Sequence, residues 1–293
     1  MAALRSAFDF ARFFLDVGWA SGEYASKIAF DPMLRRLAPR APSARPVLTL
    51  PGFGGPEISL QPLNAFLNRQ GFAAESWGLG TNRGPRHAAA LPEMIERLAP
   101  KLKRMADKSG ARVSLVGQSL GGIYAREIAR EMPDLIDRVI TLGSPAYLRR
   151  DGLEHLNAML PVAMRLMTGK RTEDHLEDHP AERLHAPPPV PLVAIYSAFD
   201  GVAAEAATAI PAGELTIEGG LPRENIEIVG SHCGMAVNPV VLLAVCDRLL
   251  ADPAAWTAYD ARAYLSPVGR ALAPVFHPGL RHAAWQRFPR RPK

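Results

Sequence analysis

Short apolar runs alternate with longer amphipathic segments through the middle of the chain. The apolar runs are bounded by Gly or Pro and predict buried strands at residues 47–50, 72–77, 113–116, 137–142, 192–196 and 225–229. The segments that repeat apolar residues at helical spacing predict helices at residues 60–69, 87–108 and 123–130. Strands that alternate with helices join through right-handed crossovers. The pattern therefore predicts an α/β domain with a mostly parallel, twisted sheet and helices on both faces.

The two ends of the chain interrupt this alternation. Residues 1–44 are predicted to be helical up to a Pro-rich linker. Within them, residues 8–15 predict an amphipathic helix that we expect to pack on the domain rather than lie on a bilayer. Residues 252–293 show little periodicity and are predicted to be a basic C-terminal extension. The α/β core is therefore expected at residues 45–251.

One stretch inside the core lacks any strand signal. Residues 146–189 are rich in His, Met and charge, and they predict a helical insertion over the carboxyl edge of the sheet. A mobile lid and a static excursion both fit this pattern. His175 and His179 stand one helical turn apart near His155 and Glu173, which suggests a metal pair. The Glu spacing of a metalloprotease motif is absent, however, so we expect no metal there.

A serine between two glycines is the most informative local feature. Gly117-Gln118-Ser119-Leu120-Gly121 follows a predicted strand and opens a predicted helix. At this spacing the turn is so tight that a side chain at either glycine would clash, and the serine hydroxyl is exposed at a helix N-terminus. A glycine pair beside a serine also marks ordinary turns between a strand and a helix. The strand before it and the helix after it favour Ser119 as a catalytic nucleophile.

A serine hydroxyl needs a histidine base, and the histidine needs a carboxylate that orients it. Asp200 follows the predicted strand 192–196, and His232 follows the predicted strand 225–229, both in turns that contain glycine. The order serine, acid, histidine, each after a later strand, suits this architecture. An Asp before a Gly is also a common turn residue. Glu205 and Asp174 therefore remain alternative acids.

Acyl transfer also requires two N–H donors for the oxyanion. The backbone N–H of Leu120, directly after the serine, is the first candidate. The second is the N–H of Phe53 in the loop Pro51-Gly52-Phe53-Gly54-Gly55, which follows the first predicted strand. An ordinary Gly-rich turn is the alternative interpretation of that loop. It is not a phosphate loop, because no Gly-Lys-Ser/Thr follows it.

Composition narrows the range of partners. The chain has 293 residues, 48% of them hydrophobic, and a net charge of +5, which suits one sizeable globular core. Much of the basic excess lies near the C-terminus, at Arg281, Arg287, Arg290, Arg291 and Lys293. Such a tail is either solvated or a peripheral contact with an anionic membrane surface. The chain lacks the interleaved aromatic and basic residues that would indicate nucleic-acid binding, and its oligomeric state is not predicted.

Two features predict a cytoplasmic location. The chain has 2 cysteines, Cys233 and Cys246, which is no disulfide framework and suits a reducing compartment. Charged residues interrupt every apolar stretch near the N-terminus before the apolar region of a signal peptide would form. No window reaches the roughly 18 uncharged apolar residues of a spanning helix.

Taken together, these segments resemble the α/β-hydrolase superfamily, and more narrowly bacterial lipase-like and esterase-like members. The resemblance covers about residues 45–251 and is carried by residues 51–54, 77–84, 114–126 and 230–239. It implies an eight-stranded type of sheet, Ser119 as nucleophile, Asp200 as acid, His232 as base, and ester hydrolysis without a cofactor. Residues 201–205 depart from the more apolar, often Trp-bearing segment that such relatives carry after the acid.

The sequence thus predicts a serine hydrolase of carboxylic esters, with a small-molecule or lipid ester as substrate. Two alternatives stay open at this level. The same three residues could transfer the acyl group to an alcohol or thiol acceptor, or the fold could serve a non-catalytic binding protein.

Overall fold

The computed structural model describes most of the chain. The described residues are 2–85, 90–147, 156–157, 161, 165–166, 168–169, 185–216 and 220–264. All structural statements below refer to these residues. Asp174, the basic C-terminal residues and the four residues weighed as a metal site (His155, Glu173, His175 and His179) lie outside them.

The described residues form one parallel sheet. Its strands are β1 (Pro46–Leu50), β2 (Ala73–Ser76), β3 (Val113–Gln118), β4 (Ile136–Leu142), β5 (Leu192–Ser197) and β6 (Arg223–Ile228). Their spatial order is β2-β1-β3-β4-β5-β6, and every neighbouring pair runs parallel. The prediction of a parallel α/β sheet is confirmed. The eight-stranded type of sheet is not reproduced, because the described part of the chain contains 6 strands.

The strand order fixes where a ligand site can form. The chain moves outward from β1 to β2 and then crosses back to β3, on the other side of β1. Loops at the carboxyl ends of β1 and β3 therefore diverge and leave a crevice between them, which is where open α/β sheets bind ligands. The Gly-rich loop that contains Phe53 follows β1, and Ser119 follows β3.

Helices cover both faces of the sheet, as predicted. They are α1 (Ala2–Leu37), α2 (Gln61–Arg69), α3 (Ala90–Ser109), α4 (Leu120–Glu131), α5 (Glu205–Thr208) and α6 (Pro239–Leu250). One apolar cluster packs α2 and α6 on one face, and a second packs α3 and α4 on the other. Central strands such as β1 are buried along their whole length, whereas the edge strand β6 alternates buried and half-buried residues.

The buried core continues past its expected end at residue 251. Trp256 and Tyr259 are both buried in the cluster that contains α6. Arg248 stacks on the Trp256 ring, with its guanidinium carbon 4.9 Å from the ring centroid. The buried carboxylate of Glu224 accepts hydrogen bonds from Arg248 at 2.7 Å and from the Trp256 indole at 3.0 Å. These contacts extend the core to Ala261, which sequence periodicity did not indicate.

Candidate active site

Ser119 lies on a strained turn between β3 and α4. Its φ is 51° and its ψ is −123°. Among the described residues, Ser119 is the only one other than glycine with a positive φ. A Cβ on Gly117 would collide with the carbonyl of Gly121, and a Cβ on Gly121 would collide with the carbonyl of Leu50. The glycines are therefore required sterically at their positions, for the reason that the sequence pattern suggested.

The turn holds Ser119 at the crevice beside β1. The Ser119 N–H donates to the Leu142 carbonyl at the end of β4, at 2.8 Å. Gly52 follows β1 so closely that a Cβ there would lie 3.1 Å from the Ser119 Cβ. The serine itself is half-buried and therefore accessible to a small molecule. Within the described residues its hydroxyl makes no hydrogen bond, so it must come within reach of a base for catalysis.

Asp200 and His232 form a buried hydrogen-bonded pair. The Asp200 Oδ2 and the His232 Nδ1 are 2.7 Å apart. The other carboxylate oxygen of Asp200 accepts from the N–H groups of Val202 and Ala203, at 2.8 and 2.7 Å. Asp200 is therefore held in one orientation, with one oxygen left for the imidazole. The carbonyl of His232 accepts from the Gln118 side chain at 2.9 Å, which ties the histidine loop to the turn beside the serine.

The surroundings of His232 favour its protonated form. Burial lowers the pKa of the imidazole, but the charge and hydrogen bond of Asp200 and the charge of Asp16 raise it more. The net result is a His232 pKa above its ordinary value of 6.5. An imidazole that is stabilised when charged is suited to accept a proton from a hydroxyl group.

Gly143 brings the pair and the serine turn to the same place. It directly follows Leu142, the residue that accepts the Ser119 N–H. Its φ is +56°, and a Cβ there would lie 3.1 Å from both the Asp200 Oδ2 and the His232 Nδ1. The carboxyl ends of β3, β5 and β6 thus bring all three predicted residues to one edge of the sheet. A parallel sheet in this strand order, with a strained serine after β3 and an acid–histidine pair after later strands, defines the architecture. The chain has the α/β-hydrolase fold.

No family model matches the chain. Solved structures of similar shape include lipase B of Aspergillus fumigatus, at 17% identity over 75% of this chain and a TM-score of 0.47. The chain spans 57% of that lipase. A monoacylglycerol lipase of Paleococcus ferrophilus is 15% identical over 72% of this chain and 98% of its own, with a TM-score of 0.48. Est1E of Butyrivibrio proteoclasticus, with ferulic acid bound, is 16% identical over 71% of this chain and 89% of its own, with a TM-score of 0.49.

The predicted oxyanion donors, Leu120 and Phe53, lie at the start of α4 and in the loop after β1. Leu120 is the first residue of α4, where an N–H group has no acceptor within its own helix. In the loop after β1, Gly54 donates to Asn82 at 2.7 Å and Gly55 donates to Gly52 at 3.0 Å. Within the described part of the chain, the N–H groups of Phe53 and Leu120 donate to no other protein group. Both amides therefore remain candidates for an oxyanion hole.

The structure also reports on the alternative acids and on the insertion. Glu205 begins α5, and among the described acids Asp200 is the one that hydrogen-bonds the His232 imidazole. Of the insertion at residues 146–189, the described Asn157 donates from its side chain to the carbonyls of Asp9 and Gly201, each at 2.7 Å. Thr168 lies near Gly84, which contacts the Phe53 ring. Described parts of the insertion thus lie beside both the loop that carries Asp200 and the loop that carries Phe53.

Helix α1 holds the loops that carry Asp200 and His232, which the sequence analysis did not predict. One buried carboxylate, that of Asp16, accepts from the N–H groups of Gly201 at 2.9 Å, His232 at 2.7 Å and Cys233 at 2.9 Å. About two helical turns further along the same face, the Glu23 carboxylate accepts from the Ser231 N–H at 3.2 Å. The spacing of seven residues between these acids places them on one face of α1 and was the available signal.

Replacing Asp16 with asparagine should weaken catalysis by misplacing both loops. An amide nitrogen would face one of the three N–H groups, and a displacement of about 1 Å costs roughly a hundredfold in kcat. The His232 pKa should fall, because a negative charge that raises it is removed. His232 must be neutral to act, so the acid limb of the kcat/KM profile should move to lower pH. A merely structural role would lower the melting temperature without moving this limb.

The matched control is Asp31→Asn on the same helix. Asp31 pairs with Lys27 at 3.7 Å and with Arg35 at 3.0 Å, on the part of α1 that follows Asp16 and Glu23. We expect this variant to keep the normal pH profile. An Asp16→Asn enzyme with unchanged kcat and an unchanged acid limb would contradict the positioning role.

Proposed function

We propose that the protein is a serine hydrolase of carboxylic esters with an apolar acyl group. The observation that carries the proposal is the pair of Asp200 and His232, joined at 2.7 Å and set against the turn of a strained, accessible serine. Strain at a single residue other than glycine, beside a buried histidine whose charged form is stabilised, is typical of an activated nucleophile.

The reaction follows from the roles of these groups. The Ser119 Oγ attacks the ester carbonyl while the His232 Nε2 takes the hydroxyl proton, and Asp200 stabilises the imidazolium through Nδ1. The N–H groups of Leu120 and Phe53 hold the oxyanion. Collapse of this intermediate releases the alcohol, which receives the proton from His232. Water then attacks the acyl-enzyme by the same route, which frees the carboxylic acid and regenerates the serine.

A cleft near the oxyanion loop supports a substrate with an extended group. Its volume is about 460 Å³, and its walls include Trp77, Leu79, Gly84 and Tyr124. Gly84 also contacts the Phe53 ring, so the cleft adjoins the loop that supplies the second candidate donor. The walls also include Asn82, Arg83, Glu93 and Arg97, so the cleft offers polar contacts beside its aromatic walls and suits a small ligand with both kinds of group.

The test is labelling of the folded protein with a fluorophosphonate probe. An activated Ser119 should react, and the label should be lost in Ser119→Ala but kept in Ser59→Ala, which removes an exposed serine near the Gly-rich loop. A series of p-nitrophenyl esters then measures the preferred acyl length. Product analysis with an added alcohol or thiol separates hydrolysis from acyl transfer. If the folded wild-type protein takes no label, the catalytic proposal fails and a non-catalytic binding role replaces it.

A further inference from the structure

Helix α1 has its polar side inward and its apolar side outward. Asp9, Asp16, Glu23 and Lys27 are buried against the domain, at the spacing of one helical face. We define the outer face of α1 as the large apolar residues of this helix that are exposed: Phe10, Phe14, Leu15, Val17, Trp19, Tyr24, Ile28, Phe30 and Met33. An exposed apolar surface of this extent marks an interaction site rather than ordinary surface variation.

The shape of the outer face suits a continuous apolar phase. At 100° per residue, Phe10, Phe14 and Ile28 lie on one flank of the helix, and Leu15 and Met33 lie on the other. The small residues Gly18 and Gly22 lie between the flanks, and a Cβ on either would meet nothing within 4 Å. A single partner helix would cover one stripe of the outer face, whereas the surface of a lipid bilayer would cover both flanks at once.

The charged residues on and after α1 favour a partner with an anionic surface. The acidic side chains along α1 either point inward, as Asp16 and Glu23 do, or form ion pairs, as Asp31 does with Arg35 at 3.0 Å. The exposed charged residues at the end of the helix are basic, and include Arg36 and Arg40. A helix that exposes aromatic and aliphatic residues, flanked by arginines and free of outward acids, complements anionic lipid headgroups.

The outer face of α1 also contacts the loop that carries Asp200. The Trp19 ring lies 5.9 Å, centroid to centroid, from the ring of Phe199, which precedes Asp200 and is itself exposed. A surface that covers α1 would therefore also meet the loop that carries the catalytic acid. We propose that the outer face of α1 docks the protein, parallel to the surface, on an anionic lipid bilayer.

Vesicle sedimentation of the full chain tests this docking. Wild-type protein should sediment with vesicles that contain phosphatidylglycerol and bind pure phosphatidylcholine vesicles more weakly. The double variant Phe14→Ser/Ile28→Ser should lose at least about tenfold in affinity, because two large apolar side chains no longer enter the lipid. Melting temperatures show whether each variant is folded. Because sedimentation measures binding alone, the result does not depend on the proposed hydrolytic activity.

The matched control is Ile58→Ser/Leu221→Ser. It removes two exposed apolar residues that lie outside α1, and it should bind vesicles as the wild type does. Equal binding by the α1 double variant would place the contact elsewhere on the chain and overturn the proposal, as would wild-type protein that binds neither vesicle. Size-exclusion chromatography with light scattering covers the remaining partner. A dimer that Phe14→Ser/Ile28→Ser dissociates would assign the outer face to a second copy of the chain and would also overturn it.

Discussion

Ser119→Ala is expected to lower kcat for an ester substrate on the order of 10⁶-fold with little change in KM. The variant keeps the pocket, the candidate oxyanion donors and the Asp200–His232 pair but lacks the oxygen that attacks the carbonyl. Any residual rate would come from substrate binding and oxyanion stabilisation alone. Steady-state and single-turnover assays with a p-nitrophenyl ester measure the loss. Retention of full activity would exclude Ser119 as the nucleophile.

Ser119→Gly separates the chemistry from the strain. Both variants lack the nucleophile, but only glycine adopts φ 51° and ψ −123° without a steric penalty. Backbone strain of this kind costs about 1–3 kcal/mol, so the glycine variant should unfold at higher urea concentration than the alanine variant. Equal unfolding midpoints for the two variants would show that the turn stores no strain.

Asp200→Asn is expected to lower kcat about 10⁴-fold while the fold is retained. The N–H groups of Val202 and Ala203 already donate to the Asp200 Oδ1 and would keep the amide oxygen of the variant at that position. The amide nitrogen would then face His232 Nδ1 and donate to it. The imidazole would carry its own proton on Nε2, the atom that must accept the proton of Ser119.

The pH profile of Asp200→Asn gives a second readout. The charge and hydrogen bond of Asp200 raise the pKa of His232, so their loss should lower that pKa. Since the neutral imidazole is the active form, the acid limb of the residual activity should shift to lower pH. Glu205→Gln, which alters the alternative acid, is the matched control and should leave both kcat and the limb unchanged. A large loss in the control with none in Asp200→Asn would reassign the acid.

Local sequence patterns were sufficient for the sheet and for the serine turn. Short runs bounded by Gly or Pro predicted each of the six strands: the central strands are buried on both faces and need continuous apolar runs, whereas the edge strand β6 buries alternate residues. The glycines around Ser119 predicted the turn, because their steric requirement acts between neighbours in the chain. The roles of Ser119, Asp200 and His232 were predicted from their order after successive strands, and those roles remain predictions until the variants are measured.

Only the tertiary structure decided what happens beyond these local rules. Trp256 and Tyr259 lie beyond the predicted core boundary at residue 251 and are buried by contacts with α6 and β6 that no periodic pattern indicates. Helix α1 gave the sequence pattern of a peripheral element, yet its Asp16 binds N–H groups 185 and 216 residues away. Apolar periodicity depends on the identity of the side chains, which the sequence gives directly. The partner of a buried carboxylate is here a backbone N–H, which every residue except proline carries, so only the folded chain could identify it.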